Sequence, residues 1–581
     1  MKLLAELRPR PGRWGVVPGI CALIAAAVVL GGAVAVGNLS VGGIAYLGVA
    51  CAASFVGGGG TRSRAARVAA QAAGAAAGMT VGALIPATAA WVIAAAVFVG
   101  ALAGALGRIG PATTGAAVMA VIGLAYTQFG RVGMPWWEPV LAYLFGSAVL
   151  LVPALVAGRH ADRQAVSAVF DAAGDLLAAP DDDAARHRLA ATWASAREAA
   201  AGYRLRPGPL AEAWAGARDA ADQAARLAAR PSDAGLEARV ELGRRWRASA
   251  AALRERGPAR RPADGQVRPG PGAAPEPDPT TAPGATTGPS AARRGPWRRG
   301  PAFTASARAV LQRVVEPLAL WTGARIGVCV GLATAVAILL RTPAHAFWIP
   351  LTVAVVVRPE YGSVLVRSLH RLVGTVLGVT VVAILLALNP SPTWITAIAA
   401  VSLGLASFGA PRLYALAVVG ITGSALLSVA LSTPVGFDPW ARLVDTVVGC
   451  CVALVAGVLA WPRRGLPDQP RAFAQATAAL AAYADRTPAD PRLTDPRLID
   501  EAYQRAHDWR AQLDRDLSEP DPTQTASDWL PVAHRLEHLV DAVVATTDPA
   551  RRADTGALLQ SRVHTAAEAT ALLAQVTQRL R

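Results

Sequence analysis

Residues 14–60 read WGVVPGICALIAAAVVLGGAVAVGNLSVGGIAYLGVACAASFVGGGG and contain no charged side chain. Residues 68–107 are also free of charge. One charge at the centre of a bilayer costs at least about 2.5 kcal/mol, so long neutral runs are typical of segments that lie in lipid. Each run is long enough for two spans of about 20 residues. The sequence therefore predicts an all-α polytopic membrane protein.

The composition of the whole chain agrees with this class. The 581 residues are 53% hydrophobic and only 17% charged, whereas a soluble chain of this length would form several domains and carry more charge. A net charge of +16 is also found in nucleic-acid-binding proteins. Here, however, the arginines lie between apolar runs and do not form one basic face. We therefore expect membrane lipids, and no nucleic acid, as partners.

Twelve spans are predicted, in two halves of six. In the first half they cover about 15–36, 41–58, 68–86, 88–106, 112–129 and 137–157. In the second half they cover about 319–340, 345–357, 372–389, 392–409, 413–431 and 440–461. The predicted domains are a transmembrane bundle (1–158), a cytosolic helical domain (159–255), a disordered Pro/Gly-rich linker (256–300), a second transmembrane bundle (301–462) and a C-terminal cytosolic helical domain (463–581).

The positions of the arginines predict the orientation. With the N-terminus inside, most arginines of the short loops fall on the inner side, and the outer side holds only Arg131, Arg341 and Arg442. This bias follows the positive-inside rule, so both termini are expected in the cytoplasm. The high Ala, Arg and Gly content is typical of a GC-rich bacterial genome. We therefore expect the protein to lie in the bacterial cell (inner) membrane.

An offset of 300 residues relates the two halves, since 367 − 67 = 300 separates Arg67 from Arg367. The same offset pairs two G-x-x-x-G motifs, formed by Gly74 and Gly78 and by Gly374 and Gly378. This spacing places both glycines on one helix face, where another helix can approach closely. Because each half has an even number of spans, the repeats are predicted to be parallel. Chance matching among abundant glycines is the alternative, and a homo-oligomer is a second use for such faces.

The candidate binding residues lie in the second half. Trp348, Pro350 and Thr352 belong to a short span, where about 12 residues separate His345 from Arg358. A short, proline-interrupted segment points to a discontinuous helix at a transport site. The alternative is an ordinary tilted helix with a proline near its outer end.

Three arginines on the inner side are further candidates. Arg367 and Arg371 are four residues apart and share a helix face, where they could attract an anionic substrate from the cytosol. Their alternative role is to set topology and contact phospholipids. Arg325 lies near the inner end of the seventh span, where a long side chain either extends to the membrane surface or faces a pore.

The last span carries two charges three residues apart, Arg442 and Asp445. An intramembrane carboxylate is costly, so Asp445 is interpreted as functional, with Arg442 as its partner and proton binding as its role. A structural ion pair at the membrane interface is the alternative. The first half has Pro139 and Ala142 at the equivalent positions, so the second half is expected to carry the working site.

Motifs of ATPases, zinc hydrolases and serine hydrolases are missing from the sequence, as is Cys/His spacing for a metal. We therefore expect no enzyme activity, no cofactor and no metal, and any transport would be gradient-driven or passive.

The second half resembles the fusaric acid resistance (FUSC) family, which includes aromatic acid exporters. The resemblance lies in Trp348-x-Pro350-x-Thr352, in Arg371-x-x-Gly374-Thr375-x-x-Gly378 and in Arg442-x-x-Asp445-Thr446-x-x-Gly449. It implies proton-driven efflux of small aromatic or other organic anions. On this resemblance the anion is attracted by Arg325, Arg367, Arg371 and Arg442, the proton is bound by Asp445, and Trp348 stacks on an aromatic ring.

Two other functions stay open from the sequence. One is a passive anion channel on the same scaffold. The other is a non-transporting membrane protein whose cytosolic helices bind a partner. The Trp-x-Pro-x-Thr element is absent from the first half, which argues against two equivalent transport sites.

Overall fold

The computed structural model describes most of the chain. The described residues are 14–55, 61–107, 109–129, 134–180, 182–200, 209–229, 235–255, 314–340, 347–357, 362–432, 438–461, 468–486, 496–517, 524–546 and 548–580. Every regular element within these ranges is helical, which confirms the all-α class. The predicted linker 256–300 lies outside the described residues.

Helices occur at all twelve predicted spans. The first half contains α1 (Val16–Val36), α2 (Leu39–Phe55), α3 (Thr61–Leu84), α4 (Ala89–Leu106), α5 (Pro111–Phe129) and α6 (Trp137–Ala178). The second half contains α10 (Pro317–Leu339), α11 (Trp348–Val356), α12 (Gly362–Ala387), α13 (Pro392–Gly409), α14 (Tyr414–Ser432) and α15 (Ala441–Leu454), which continues as a π-helical segment (Val455–Leu459). Three of these helices begin with a proline, whose missing N–H is not needed in the first turn.

Nine of the described helices are long and apolar enough to cross a membrane, so the chain is a multi-pass membrane protein. The other three are exceptions for different reasons. Helix α2 has 17 residues, α11 has only 9, and α3 begins with the arginine-containing sequence TRSRAAR. Apolar side chains on the outside of the nine are the surface that a bilayer would cover, for example Trp91, Phe98 and Phe145.

Two predicted spans begin too late. The third and ninth spans were placed at 68–86 and 372–389, but their helices begin at Thr61 and Gly362. Their arginines were therefore assigned to inner loops although they belong to the first turns of these helices. Arg64 and Arg371 are only 6% and 4% exposed. A span predicted from hydropathy stops at the nearest charged residue. The helix itself extends past that residue because neighbouring helices bury the charged side chain.

The two halves use the same helix pairs. In the first half α3 packs on α5 and α6, and α2 packs on α6; in the second, α12 packs on α14 and α15, and α11 packs on α15. Contacts between the halves are also reciprocal. Helix α4 packs on α10 while α1 packs on α13, and α5 contacts α11 while α2 contacts α14.

Glycines allow these close approaches. A Cβ added to Gly74 or Gly78 would lie 2.1 or 2.0 Å from a carbonyl oxygen of α5, and one added to Gly374 or Gly378 would meet α14. The predicted G-x-x-x-G faces are therefore filled by helices of the same chain. Between the halves, a Cβ on Gly19 would lie 3.0 Å from the Gly404 oxygen.

The remaining helices form two cores outside the membrane bundles. Helix α6 runs without interruption for 42 residues, and its last turns pack with α7 (Asp183–Ala200), α8 (Pro209–Ala229) and α9 (Leu236–Glu255). This first cytosolic core centres on Val169, Ala173 and Leu176. The second cytosolic core is built from α16 (Gln469–Arg486), α17 (Pro496–Leu517), α18 (Gln524–Ala545), α19 (Pro549–Leu559) and α20 (Ala566–Leu580). Both cores are called cytosolic here only because the predicted topology places these segments in the cytoplasm.

The two cytosolic cores contact each other through α7 with α17 and α8 with α18. A buried ion pair lies in this junction, with Arg186 Nε 2.6 Å from Asp541 Oδ2. Tyr503 donates a hydrogen bond to the other carboxylate oxygen of Asp541, at 2.9 Å. The segment that follows the first bundle is thereby joined to the C-terminal segment.

Candidate substrate site in the second half

The short helix α11 is the centre of the candidate site. Eight of its nine residues are buried, including Trp348, Pro350 and Thr352. Such a short helix leaves its last carbonyl groups without intrahelical partners. Arg367 supplies one donor, because its Nε donates to the Val356 oxygen at 3.1 Å. Arg367 therefore caps the end of α11.

Arg442 lies directly against α11. Its guanidinium carbon is 4.2 Å from the centroid of the Trp348 ring, and its Nη1 donates to Thr352 Oγ1 at 3.5 Å. A buried cation over a tryptophan face gains about 2 kcal/mol or more, because no water competes with the ring. The structure thus joins three of the predicted residues in one contact, and only 4% of Arg442 is exposed.

Gly449 brings the helix that carries Arg442 against α11. A Cβ at this position would lie 2.8 Å from Thr352 Cβ and 3.2 Å from the Ile349 oxygen. Within α15 the Thr446 hydroxyl donates to the Arg442 carbonyl oxygen at 2.8 Å, so this polar group needs no outside partner. Gly449 of the motif Arg442-x-x-Asp445-Thr446-x-x-Gly449 therefore holds α15 close to α11, and Arg442 of the same motif lies beside Thr352.

Arg371 and Asp445 complete the charged group. They are 4% and 5% exposed, and both act electrostatically on Arg442. Within the described residues, Arg442 contacts Trp348 and Thr352 rather than forming a close salt bridge with Asp445. The Nε of Arg371 is buried and has no hydrogen-bond partner there. Because it is so deeply buried, Arg371 is not placed to contact lipid headgroups.

Arg325 lies apart from this group. It is 1% exposed and its Nε donates to the Gly457 oxygen at 2.8 Å, so it does not extend to the membrane surface. Gly457 belongs to the π-helical segment Val455–Leu459. A π turn leaves carbonyl groups outside the regular α-helical pattern, and the guanidinium satisfies one of them. This contact joins α10 to the end of the last helix.

The charges at the site favour an anion. Two guanidinium groups and one carboxylate are buried in this group, and the Nε–H of Arg371 has no partner among the residues that the structure describes. A buried, unsatisfied donor on a cation is costly unless a ligand accepts its hydrogen bond. The indole of Trp348 adds an aromatic face, although that face is covered by Arg442 in this structure.

The equivalent position in the first half holds a neutral network, which the sequence reading missed. Gln71 Nε2 donates to Ser147 Oγ at 3.3 Å, Tyr143 donates to Gln71 Oε1 at 3.0 Å, and Ser147 Oγ donates to the Gly48 oxygen at 3.3 Å. The offset of 300 residues that pairs the glycines also pairs Gln71 with Arg371. That pairing was the signal that could have located the network. Here the charge of Arg371 is replaced by the hydrogen-bonded amide of Gln71, and Pro139 and Ala142 stand at the positions of Arg442 and Asp445.

Two apolar cavities lie where the halves meet, between α4, α5, α10 and α11. One is lined by Gly104, Val121, Ile326 and Ala354, and the other by Ala96, Gln128, Thr334 and Pro350. Among the predicted site residues in the described part of the chain, Pro350 alone lines one of these two cavities. These cavities are separate from the charged group, because neither is lined by Arg371, Arg442 or Asp445.

Comparison with known proteins finds a family similarity in the second half. Residues 328–456 match the family model described as fusaric acid resistance protein-like. Similar stretches occur in the uncharacterized protein slr1298 of Synechocystis (36% identical, 19% of this chain and 15% of the relative) and in the uncharacterized membrane protein YvaC of Bacillus subtilis (34%; 22% and 21%). A third occurs in the inner membrane protein YccS of Escherichia coli (31%; 24% and 20%).

The matched stretches span only about a fifth or less of the length of these relatives. No solved structure matches the chain. The predicted resemblance is nevertheless confirmed, and it covers α11 to α15 together with most of α10. Residues 328–456 of this membrane protein are therefore similar to the fusaric acid resistance protein-like family.

Proposed function

We propose that this protein is a membrane transporter that exports small organic anions, with aromatic acids as the favoured class and the proton gradient as the driving force. The observation that carries the proposal is the buried group of Arg371, Arg442 and Asp445 against Trp348 and Thr352. A net positive, dehydrated group inside a membrane domain is expensive unless it binds an anion. The family match supports the transporter class.

The arrangement suggests how a substrate binds. The carboxylate of an aromatic acid accepts hydrogen bonds from Arg371 and Arg442, and its ring replaces the Arg442 guanidinium on the face of Trp348. Asp445 lies beside the same arginine and carries the proton on this proposal. For export driven by an inward proton gradient, Asp445 takes up a proton from the outside after the anion has left, and it releases that proton to the cytosol before the next anion binds.

The proposal includes the architecture. We infer twelve spans in two parallel repeats of six, with both termini in the cytoplasm of a bacterial cell and the domain boundaries given above. The reciprocal helix pairs of the two halves and the arginine distribution support this view. The neutral network around Gln71 supports a first half that serves as scaffold, with one transport site per chain.

Uptake of aromatic acids into inverted membrane vesicles tests the proposal. We expect accumulation that depends on an imposed pH gradient. Arg442→Gln and Arg371→Gln each remove a charged donor, and a charge-assisted hydrogen bond contributes about 1.5–3 kcal/mol. We therefore expect the apparent affinity to fall by roughly 10- to 150-fold.

Arg412→Gln is the matched control, because Arg412 also lies over a tryptophan, 4.7 Å from the ring of Trp14, but outside the site. It should keep the wild-type affinity. Equal losses in the control and in the site variants would overturn the assignment of the site, provided that all variants are present at wild-type levels in the vesicles.

Asp445→Asn separates a proton-coupled exporter from a passive anion channel. The exporter should lose accumulation against a gradient while it retains binding of the acid. The channel should retain its downhill flux unchanged. Wild-type accumulation in Asp445→Asn would contradict the role of Asp445 as the proton site.

A further inference from the structure

A second group of chemically reactive side chains lies in the junction of the two cytosolic cores. His187 is on α7, His507 on α17 and Glu537 on α18. One potential ligand atom from each of them lies within 4.8 Å of the other two. The residues are separated by 507 − 187 = 320 and 537 − 507 = 30 positions, so no spacing motif could reveal the group.

Each of the three side chains carries a potential ligand atom without a hydrogen bond. The Nδ1 atoms of His187 and His507 and the Oε1 atom of Glu537 are all shielded from solvent and have no hydrogen-bond partner in the described part of the chain. His507 Nδ1 lies 3.8 Å from Glu537 Oε1, too far for a hydrogen bond. Glu537 is only 6% exposed, so an unsatisfied carboxylate oxygen there carries a desolvation cost.

The other oxygen of the same carboxylate is fixed. Arg510 Nη1 donates to Glu537 Oε2, and Arg510 also lies 3.6 Å from Asp514. The guanidinium therefore orients the carboxylate so that Oε1 points toward the two histidines. Hydrogen bonds of this kind orient the ligands in known metal sites.

We propose that His187, His507 and Glu537 bind one divalent transition-metal ion of the zinc class across the junction of the two cytosolic cores. Two imidazoles and one carboxylate are a known zinc ligand set, with a water molecule in the fourth position. At ligand distances of about 2.1 Å, each of the three atoms would have to move inward by less than about 1 Å. Side-chain rotations supply a movement of this size.

The charges around the group bear on this assignment. Metal binding requires neutral imidazole and ionised carboxylate. The positive charge of Arg510 opposes a cation, but Glu537 and Asp514 lie on either side of it. The bound ion would tie the segment that follows the first bundle to the C-terminal segment.

Metal content of the full-length protein in detergent tests this proposal without any transport assay. The protein is purified without a polyhistidine tag, dialysed against Zn²⁺ or Co²⁺, desalted and analysed by mass spectrometry for metal and by Co²⁺ absorption. We expect one ion per chain and the intense visible bands of tetrahedral Co²⁺. His187→Ala, His507→Ala and Glu537→Gln should each weaken binding by about 100-fold or more, since even residues that only orient a ligand change affinity by 10- to 100-fold.

His564→Ala is the matched control, because His564 is an exposed histidine of the C-terminal segment outside the group. It should bind the ion as the wild type does. Variants are compared only after their elution volume and helical circular dichroism match the wild type, and His187→Gln replaces His187→Ala if the latter fails this check. Wild-type protein without stoichiometric metal, or a folded His187 variant with wild-type affinity, would overturn the proposal.

Discussion

The ion pair between Arg186 and Asp541 gives a prediction about the junction of the cytosolic cores. Arg186 Nε lies 2.6 Å from Asp541 Oδ2, and the two side chains are only 7% and 4% exposed. In Asp541→Asn the side chain keeps its size and can still accept the hydrogen bond from Tyr503, but Arg186 loses its counter-charge. Removal of one partner from a buried pair costs about 3–5 kcal/mol.

Hydrogen–deuterium exchange measures this cost locally, without assuming that the whole membrane protein unfolds in one step. The relevant peptides cover α7 (Asp183–Ala200) and α18 (Gln524–Ala545). A loss of 3 kcal/mol or more corresponds to exchange that is faster by at least roughly 100-fold in these peptides. The membrane helices should keep their protection.

Two controls make the outcome specific. The double variant Arg186→Met with Asp541→Leu replaces both charges by apolar groups and should recover most of the protection, because neither buried charge is left unpaired. Glu241→Gln breaks an exposed pair with Arg244 and should cost less than about 1 kcal/mol. Unchanged exchange of α7 and α18 in Asp541→Asn would refute the argument that this pair holds the junction closed.

Two further predictions concern packing and pH. Gly449→Ala should lower the thermal stability by about 1–3 kcal/mol because its Cβ would lie 2.8 Å from Thr352 Cβ, whereas Gly31→Ala, which meets open space, should leave the melting temperature in detergent unchanged. Burial alone would raise the pKa of Glu537, but the neighbouring His507 and Arg510 hold this pKa below its ordinary value. The ionised carboxylate therefore contributes its full stabilisation above about pH 4.5, and this stabilisation is lost as the pH falls through the lowered pKa. Metal-free Glu537→Gln should therefore lose less stability than the wild type between about pH 5 and 3, measured from the melting temperature at each pH, and parallel profiles would contradict this sign.

Much of the membrane fold could be predicted because hydropathy is a local property. Neutral runs such as residues 14–60 identify spans without reference to the rest of the chain, and helices are present at all twelve predicted positions. The glycine motif at Gly74 and Gly78 also correctly indicated a close helix contact. The beginnings of α3 and α12 were wrong, because burial by other helices extends them past charged residues.

The contacts of the site depend on pairs of helices that are distant in the sequence. Trp348 and Arg442 were both candidates, but only the packing of α15 on α11 brings the guanidinium over the ring. Arg325 could not be separated from them by sequence, because its partner is a backbone oxygen in a π-helical segment that leaves no residue signature. The histidine group was also hidden, since three helices supply it.

The two bundles differ in how their last helices end, because the first bundle ends in the continuous 42-residue helix Trp137–Ala178. At 1.5 Å per residue it is a rod of about 63 Å, so a tilt of about 5° around its N-terminal end would displace its C-terminal end by about 5 Å. The last span of the second half passes instead into a π-helical segment before α16 begins. A tilt of this helix would therefore move α7, α8 and α9, which pack on its last turns, whereas the described part of the last span ends in a π-helical segment.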